Sequence, residues 1–148
     1  MAGMFTELAR KAIEYARDEA ARLRHDHIGT EHLLLGLIRL GEGRAVEIIN
    51  NLGLDLKELK DSIEKSAQPA GGTMTMGQLP LTARAKNTLQ LCDEEARALE
   101  SEDLDTEHLL LAMLADEKTS ASRVMSKYKI TYWDVLDELE NIRNKEIS

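Results

Sequence analysis

Thr30-Glu31-His32-Leu33-Leu34-Leu35 occurs a second time, letter for letter, as Thr106-Glu107-His108-Leu109-Leu110-Leu111, 76 positions further on. The match spreads outward without a gap, from residues 5–66 in the first copy to residues 81–142 in the second. Phe5-Thr6 falls on Leu81-Thr82, Ala9 on Ala85, Glu19-Ala20 on Glu95-Ala96, Leu23 on Leu99 and Ala45 on Ala121. Where residues differ the apolar character holds, as at Ile13 and Leu89, Ile28 and Leu104, Ile48 and Val124, and Leu54 and Ile130. A period of this length marks a duplicated supersecondary unit and sets the architecture before any local assignment.

The unit is helical. Thr6 is positioned to cap a first helix reaching about Arg24, whose Leu8, Ala9, Ala12, Ile13, Ala16, Ala20 and Leu23 recur at three- and four-residue steps. Arg24 to Gly29 breaks the period. Thr30 is expected to cap a second helix, with Glu31 in its first turn complementing the helix dipole. Leu33, Leu34, Leu35, Leu37, Ile38 and Leu40 leave that helix almost no polar face, so it belongs inside. Gly41-Glu42-Gly43 ends it, a third helix runs from about Arg44 to Leu52 before Gly53, and Asp55 caps a fourth with Leu56, Leu59 and Ile63 inward. Residues 67–80 lose all periodicity and carry the Pro and Gly content of a linker. The second copy repeats the programme: Thr82 to about Glu100, the Leu-rich helix from Thr106, Ala121 to Tyr128, and Tyr132 to Ile142. The expected fold is all-α, two tandem pseudo-symmetric four-helix lobes at 5–66 and 81–142, about eight helices in one 148-residue domain.

Composition narrows function by exclusion. A chain of 148 residues can bury roughly 70% of its unfolded surface. Aromatics make up 3%, so Leu, Ile, Ala, Val and Met must build the core. The formal charge of −8 disfavours nucleic acid and anionic membrane surfaces as partners. That charge is uneven: residues 1–66 hold 10 basic against 12 acidic side chains, and residues 81–148 hold 9 against 15. One cysteine, Cys92, rules out an internal disulfide and suits a reducing cytoplasm. No apolar run is long enough to suggest a membrane span.

Catalytic signatures are missing: no Gly-x-Ser-x-Gly, no phosphate-binding Gly-rich loop ending in Lys-Ser/Thr, no His-Glu-x-x-His. Cys92 sits on the apolar stripe where the first copy has Ala16, which reads as a small buried residue. His25, His27, Glu31 and His32 raise the question of a metal. But the second copy has Ser101 and Asp103 in place of the first two, and neighbouring Glu and His point about 100° apart on a helix. No metal site and no catalytic residue is therefore expected, and His32 and His108 are expected to be structural. Thr6, Thr82, Glu31 and Glu107 stay identical between copies while much of the exposed surface drifts, which is more than cap and dipole roles require.

Two tandem copies of a Thr-capped helix followed by Thr-Glu-His-Leu-Leu-Leu resemble the N-terminal domain of the Clp/Hsp100 unfoldases. Phe5-Thr6-Glu7, Ile28-Gly29-Thr30-Glu31-His32-Leu33-Leu34-Leu35-Gly36-Leu37 and Gly41-Glu42-Gly43 look most like the ClpC type. The resemblance implies a non-catalytic bacterial cytoplasmic module, monomeric on its own, that docks adaptors and protein substrates. Those would be passed to an AAA+ ring and the ClpP peptidase through a longer parent. ATP would be needed only by AAA+ modules, and no Walker motif lies in this chain. A free-standing Clp-repeat accessory protein is the alternative. The resemblance also implies a ligand, phosphoarginine, with Thr6 and Glu31 forming one site and Thr82 and Glu107 the other. Glu100, Glu102, Asp103 and Asp105 crowd Glu107, so the first site is expected to bind the more tightly.

Overall fold

The computed structural model describes residues 3–67 and 79–147, so most of the expected 67–80 linker lies outside the described residues. The described residues form eight helices: α1 (Glu7–Arg22), α2 (Thr30–Leu40), α3 (Arg44–Asn51), α4 (Leu56–Ser66), α5 (Ala83–Ala98), α6 (Thr106–Ala115), α7 (Ser120–Lys127) and α8 (Tyr132–Ile147). α1, α2, α5 and α7 stop for local reasons. Arg24, Glu100 and Lys129 take left-handed φ values near +60° just past α1, α5 and α7. Gly41, at φ +68°, closes α2 in the conformation glycine adopts most easily. Asp55 caps α4 as expected, accepting from the Lys57 N–H.

Two caps fall one residue earlier than the sequence suggests. Gly29 and Asp105, not Thr30 and Thr106, are the N-caps of α2 and α6. His32 and His108 supply the reciprocal bond, their Nδ1 atoms accepting from the Gly29 and Asp105 N–H groups at 2.9 Å each. This is the N3 side of a capping box, made by imidazole in the place usually held by Glu or Gln, and at α2 it stands alone because Gly29 has no side chain. The structural role expected for the two histidines is this one.

Freed from capping their own helices, the two threonines cap helices of the opposite repeat. Thr30 Oγ1 accepts from the Ala121 N–H of α7 at 3.2 Å, and Thr106 Oγ1 accepts from the Ala45 N–H of α3 at 3.1 Å. Backbone crossings follow the same symmetry. The Thr6 N–H donates to the Leu104 carbonyl at 2.9 Å, and the Thr82 N–H to the Ile28 carbonyl at 3.0 Å. The repeats are thus interlocked, and one apolar cluster drawn from both, centred on α2 and α6, replaces two separate lobe cores. Leu33, Leu34, Leu35, Leu37, Leu109, Leu110, Leu111 and Met113 are fully buried in it, each contributing on the order of 1.5–3 kcal/mol.

Packing is not symmetric in detail. A Cβ at Gly36 would lie 2.1 Å from the Ala12 carbonyl oxygen and 2.9 Å from the Ala16 nitrogen, so α1 and α2 meet backbone to backbone. The second copy carries Ala112 at that position. Glu19 is buried and held by Arg22 and Arg39; its counterpart Glu95 instead accepts from the Tyr132 hydroxyl at 2.7 Å.

Candidate functional site

The crossings decide which of the repeated side chains meet. Because residues 4–6 pair with Leu104 and residues 80–82 with Ile28, the start of α1 lies beside the Asp105–Glu107 turn and the start of α5 beside the Gly29–Glu31 turn. The within-repeat pairing of Thr6 with Glu31 and Thr82 with Glu107 is therefore corrected. Thr82 and Glu31 share one hollow, while Thr6 bonds to Asp105 at the foot of α6.

The first hollow, of about 360 Å³, is lined by His27, Gly29, Thr30, Glu31, Thr82, Ala83, Arg84 and Ser120. Glu31 is folded back over Gly29, its Oε1 standing 1.8 Å from where a Cβ would be. Glycine is needed there for that close approach alone. The Thr82 hydroxyl accepts from the Ala85 N–H at 3.0 Å, and among the described residues nothing takes its proton. The mouth therefore offers a hydroxyl donor at a helix N-terminus, where free N–H groups favour an anion. Arg84 stands beside it, paired with Asp116 at 2.9 Å.

The second hollow, of about 230 Å³, is lined by Arg44, Leu99, Glu100, Ser101, Glu107, His108, Leu139, Arg143 and Glu146. Asp105 has the Cβ that Gly29 lacks, so Glu107 cannot fold back as Glu31 does, and its hollow opens toward α8. Arg44 is tied to Glu146 at 2.6 Å and to Glu47 at 3.4 Å, and Arg143 donates to the Leu99 carbonyl at 3.4 Å. Two guanidinium groups thus stand among acids that the sequence shows only as a negative run, so crowding by acids alone does not rank the two sites.

Both carboxylates are half-buried. Glu31 Oε1 and Glu107 Oε1 are each buried without a hydrogen-bond partner among the described residues. His32 Nδ1 lies 3.3 Å from Glu31 Oε1 but is no ion-pair partner. Burial, with His25 and His27 nearby, holds the His32 pKa down to about 3. Its Nδ1 lone pair already accepts from Gly29, so two acceptors face each other. Glu107 is pushed up to about 7, mainly by burial, partly offset by its own backbone N–H and by Arg44 and Arg143, with Asp105 adding repulsion. An unpaired buried acceptor costs about 1–3 kcal/mol, more for a charged one. The two fall at matching positions of the repeats, each beside a hollow.

His27, Glu31 and His32 do converge, contrary to the expectation that helix geometry would part the neighbouring Glu and His. Ligand atoms of His27, Glu31 and His32 lie within 4.8 Å of one another. Both ring nitrogens of His32, however, are engaged. With Nδ1 accepting from Gly29, neutral His32 carries its proton on Nε2 and donates it to His25 Nδ1 at 2.6 Å, which in turn fixes the His25 proton on its own Nε2. That leaves His27 and Glu31, too few for a tetrahedral ion. Cys92 is buried as expected, its thiol pushed up to about 12 by burial.

An all-α pair of interlocked four-helix repeats, with a half-buried Glu after each inner-helix cap, defines a duplicated helical domain. The chain belongs to the Clp repeat (R) N-terminal domain family, which matches residues 4–128 and 80–146. It is 37% identical over 131 residues to the chaperone protein ClpB of Oceanobacillus iheyensis, covering 88% of this chain and 16% of that protein. It is 41% identical over 121 residues to the chloroplastic chaperone protein ClpC of Pisum sativum, covering 82% of this chain and 13% of that protein. The chain thus spans a small fraction of these relatives' length. Its fold is that of the ClpD N-terminal domain from Arabidopsis thaliana, with TM-score 0.74 and 20% identity over 95% of this chain and 94% of that one. It is likewise that of the Hsp104 N-terminal domain from Candida albicans, with TM-score 0.79 and 14% identity over 94% and 91%. Among the described residues no helix is long and apolar enough to cross a membrane.

Proposed function

We propose that this domain docks protein substrates and adaptors for a ClpC-like AAA+ unfoldase in a reducing compartment, and that its hollows receive arginine-phosphorylated side chains. The observation that carries the reading is the pair of buried, partnerless carboxylate oxygens at Glu31 and Glu107, each beside a hollow. A guanidinium group supplies what they lack, since charge-assisted N–H donors to a carboxylate make the stronger class of hydrogen bond. Phosphoarginine sets an anion next to that cation. In the first hollow the anion meets the Thr82 hydroxyl, the α5 N-terminus and Arg84. The chemistry needed is binding alone; the ATP-driven unfolding belongs to modules outside this sequence, with ClpP downstream of them. Each hollow is small, so one contact is expected to be weak and a ring of domains to multiply it through effective concentration.

The test is a pulldown of arginine-phosphorylated protein by wild-type, Glu31→Ala, Glu107→Ala and doubly substituted domain. Partial loss in each single variant and complete loss in the double variant are expected. Full retention by the double variant overturns the reading.

A further inference from the structure

The two repeats keep the same glutamate but not the same donors around it. In the first hollow the Thr82 hydroxyl proton is available because residue 29 is glycine. In the second repeat the corresponding hydroxyl, on Thr6, accepts from the Ala9 N–H at 3.2 Å and donates to Asp105 Oδ1 at 2.8 Å. Asp105 occupies the position of Gly29, so Thr6 has no proton left for a ligand, and Thr6 does not line the hollow at Glu107. An anion seat copied from the first repeat is therefore closed in the second.

Other donors stand in the second hollow. Arg143 lines it, and its one hydrogen bond among the described residues, to the Leu99 carbonyl, is long at 3.4 Å. The first repeat has Ala67 at the corresponding position. His108 adds a ring proton. Its Nδ1 accepts from the Asp105 N–H, so neutral His108 carries its proton on Nε2. In the first repeat that proton goes from His32 to His25; here Ser101 replaces His25, and nothing among the described residues takes it. Arg44 is the more firmly held wall, paired with Glu146 and Glu47.

We infer that the hollow at Glu107 grips a ligand at two ends: a guanidinium on Glu107 Oε1, and the neighbouring anionic group on Arg143 and His108 Nε2–H, with no part played by Thr6. The inference rests on the proposed reading of the Glu107 site and deepens it by naming a different anion seat. The ligand class is a side chain carrying a cation directly next to an anion. Specificity for the anion then has separate origins in the two repeats, Thr82 with the α5 N-terminus in one and α8 in the other.

The experiment is calorimetric titration of the whole domain in a Glu31→Ala background, which isolates the second hollow, with free phosphoarginine and with arginine as probes. Arg143 is exposed, so Arg143→Gln leaves the core untouched, and folding of every variant is checked by circular dichroism. Arg143→Gln is expected to weaken phosphoarginine about tenfold or more and arginine less than threefold, while Thr6→Ala changes either by less than threefold. Loss at Thr6→Ala with retention at Arg143→Gln overturns this inference and leaves the reading of Glu107 standing. Equal weakening of both probes by Arg143→Gln also overturns it, because Arg143 would then not address the anion. Absence of phosphoarginine binding to both the Glu31→Ala and the wild-type domain overturns the reading and this inference together.

Discussion

Replacing Glu107 by Gln should stabilise the free domain, and should do so only at the higher pH. The carboxyl is half-buried, its Oε1 has no partner, and its pKa is raised from 4.5 to about 7. A group whose folded pKa is raised binds its proton more tightly in the folded state. Its favourable contribution is fully present below about pH 4.5 and is lost as pH climbs through about 7. At about 1.4 kcal/mol per unit, a shift of this size corresponds to an upper bound of about 3 kcal/mol. Water reaching the hollow screens part of it, leaving about 1–3 kcal/mol. Gln resembles the protonated acid at every pH. Thermal unfolding of Glu107→Gln and wild type should therefore nearly coincide at pH 5. At pH 8 the variant should melt about 3–10 °C higher, at about 2–4 °C per kcal/mol for a chain of this size. The same variant should lose ligand binding at the second hollow. A melting difference that is the same at pH 5 and pH 8, or a destabilised variant at pH 8, would refute an uncompensated charge at Glu107.

Other predictions follow from the interlock. Gly36→Ala forces a Cβ onto the Ala12 carbonyl and should cost about 2–3 kcal/mol in urea unfolding, although alanine is the better helix former. Thr106→Val, isosteric but unable to accept from the Ala45 N–H, should cost about 1–3 kcal/mol, and Thr30→Val a similar amount through Ala121. Because each cap crosses between repeats, both variants should lower one cooperative transition and not split it, as followed by circular dichroism and by fluorescence of the exposed Trp133. Cys92 should react with a thiol reagent only at the rate of global unfolding, being buried with its thiol held near 12.

The helices, their order and the buried Leu-rich stretch were legible because they rest on local periodicity, which survives duplication. The two Thr-Glu-His motifs were legible as special for the same reason. What comparing the copies could not show is that they cross. Aligning Thr6 with Thr82 invites pairing each with the glutamate of its own repeat, and nothing local says that residues 4–6 bond to Leu104. The caps at Gly29 and Asp105 were misplaced by one residue because Thr30 and Thr106 are good N-cap residues whose hydroxyls serve a distant helix. Arg44 and Arg143 were missed as site residues because they reach Glu107 from α3 and α8. The signal available was that both are absent from the matching positions of the other copy, Ser120 and Ala67. The approach of His27 to Glu31 and His32 was not legible because His27 lies in the turn before α2, where helical directions do not apply.

The central claim is that Glu31 and Glu107 are seats for a guest and not merely dipole partners. It is tested most directly by titrating the isotope-labelled domain with free phosphoarginine and following backbone amide shifts. Two separate clusters of saturable shifts are predicted, one at residues 29–31 and 82–84, the other at residues 99–101, 107–108 and 143. The first cluster should vanish in Glu31→Ala and the second in Glu107→Ala. Shifts confined to other surfaces, or unchanged by either substitution, would contradict the account.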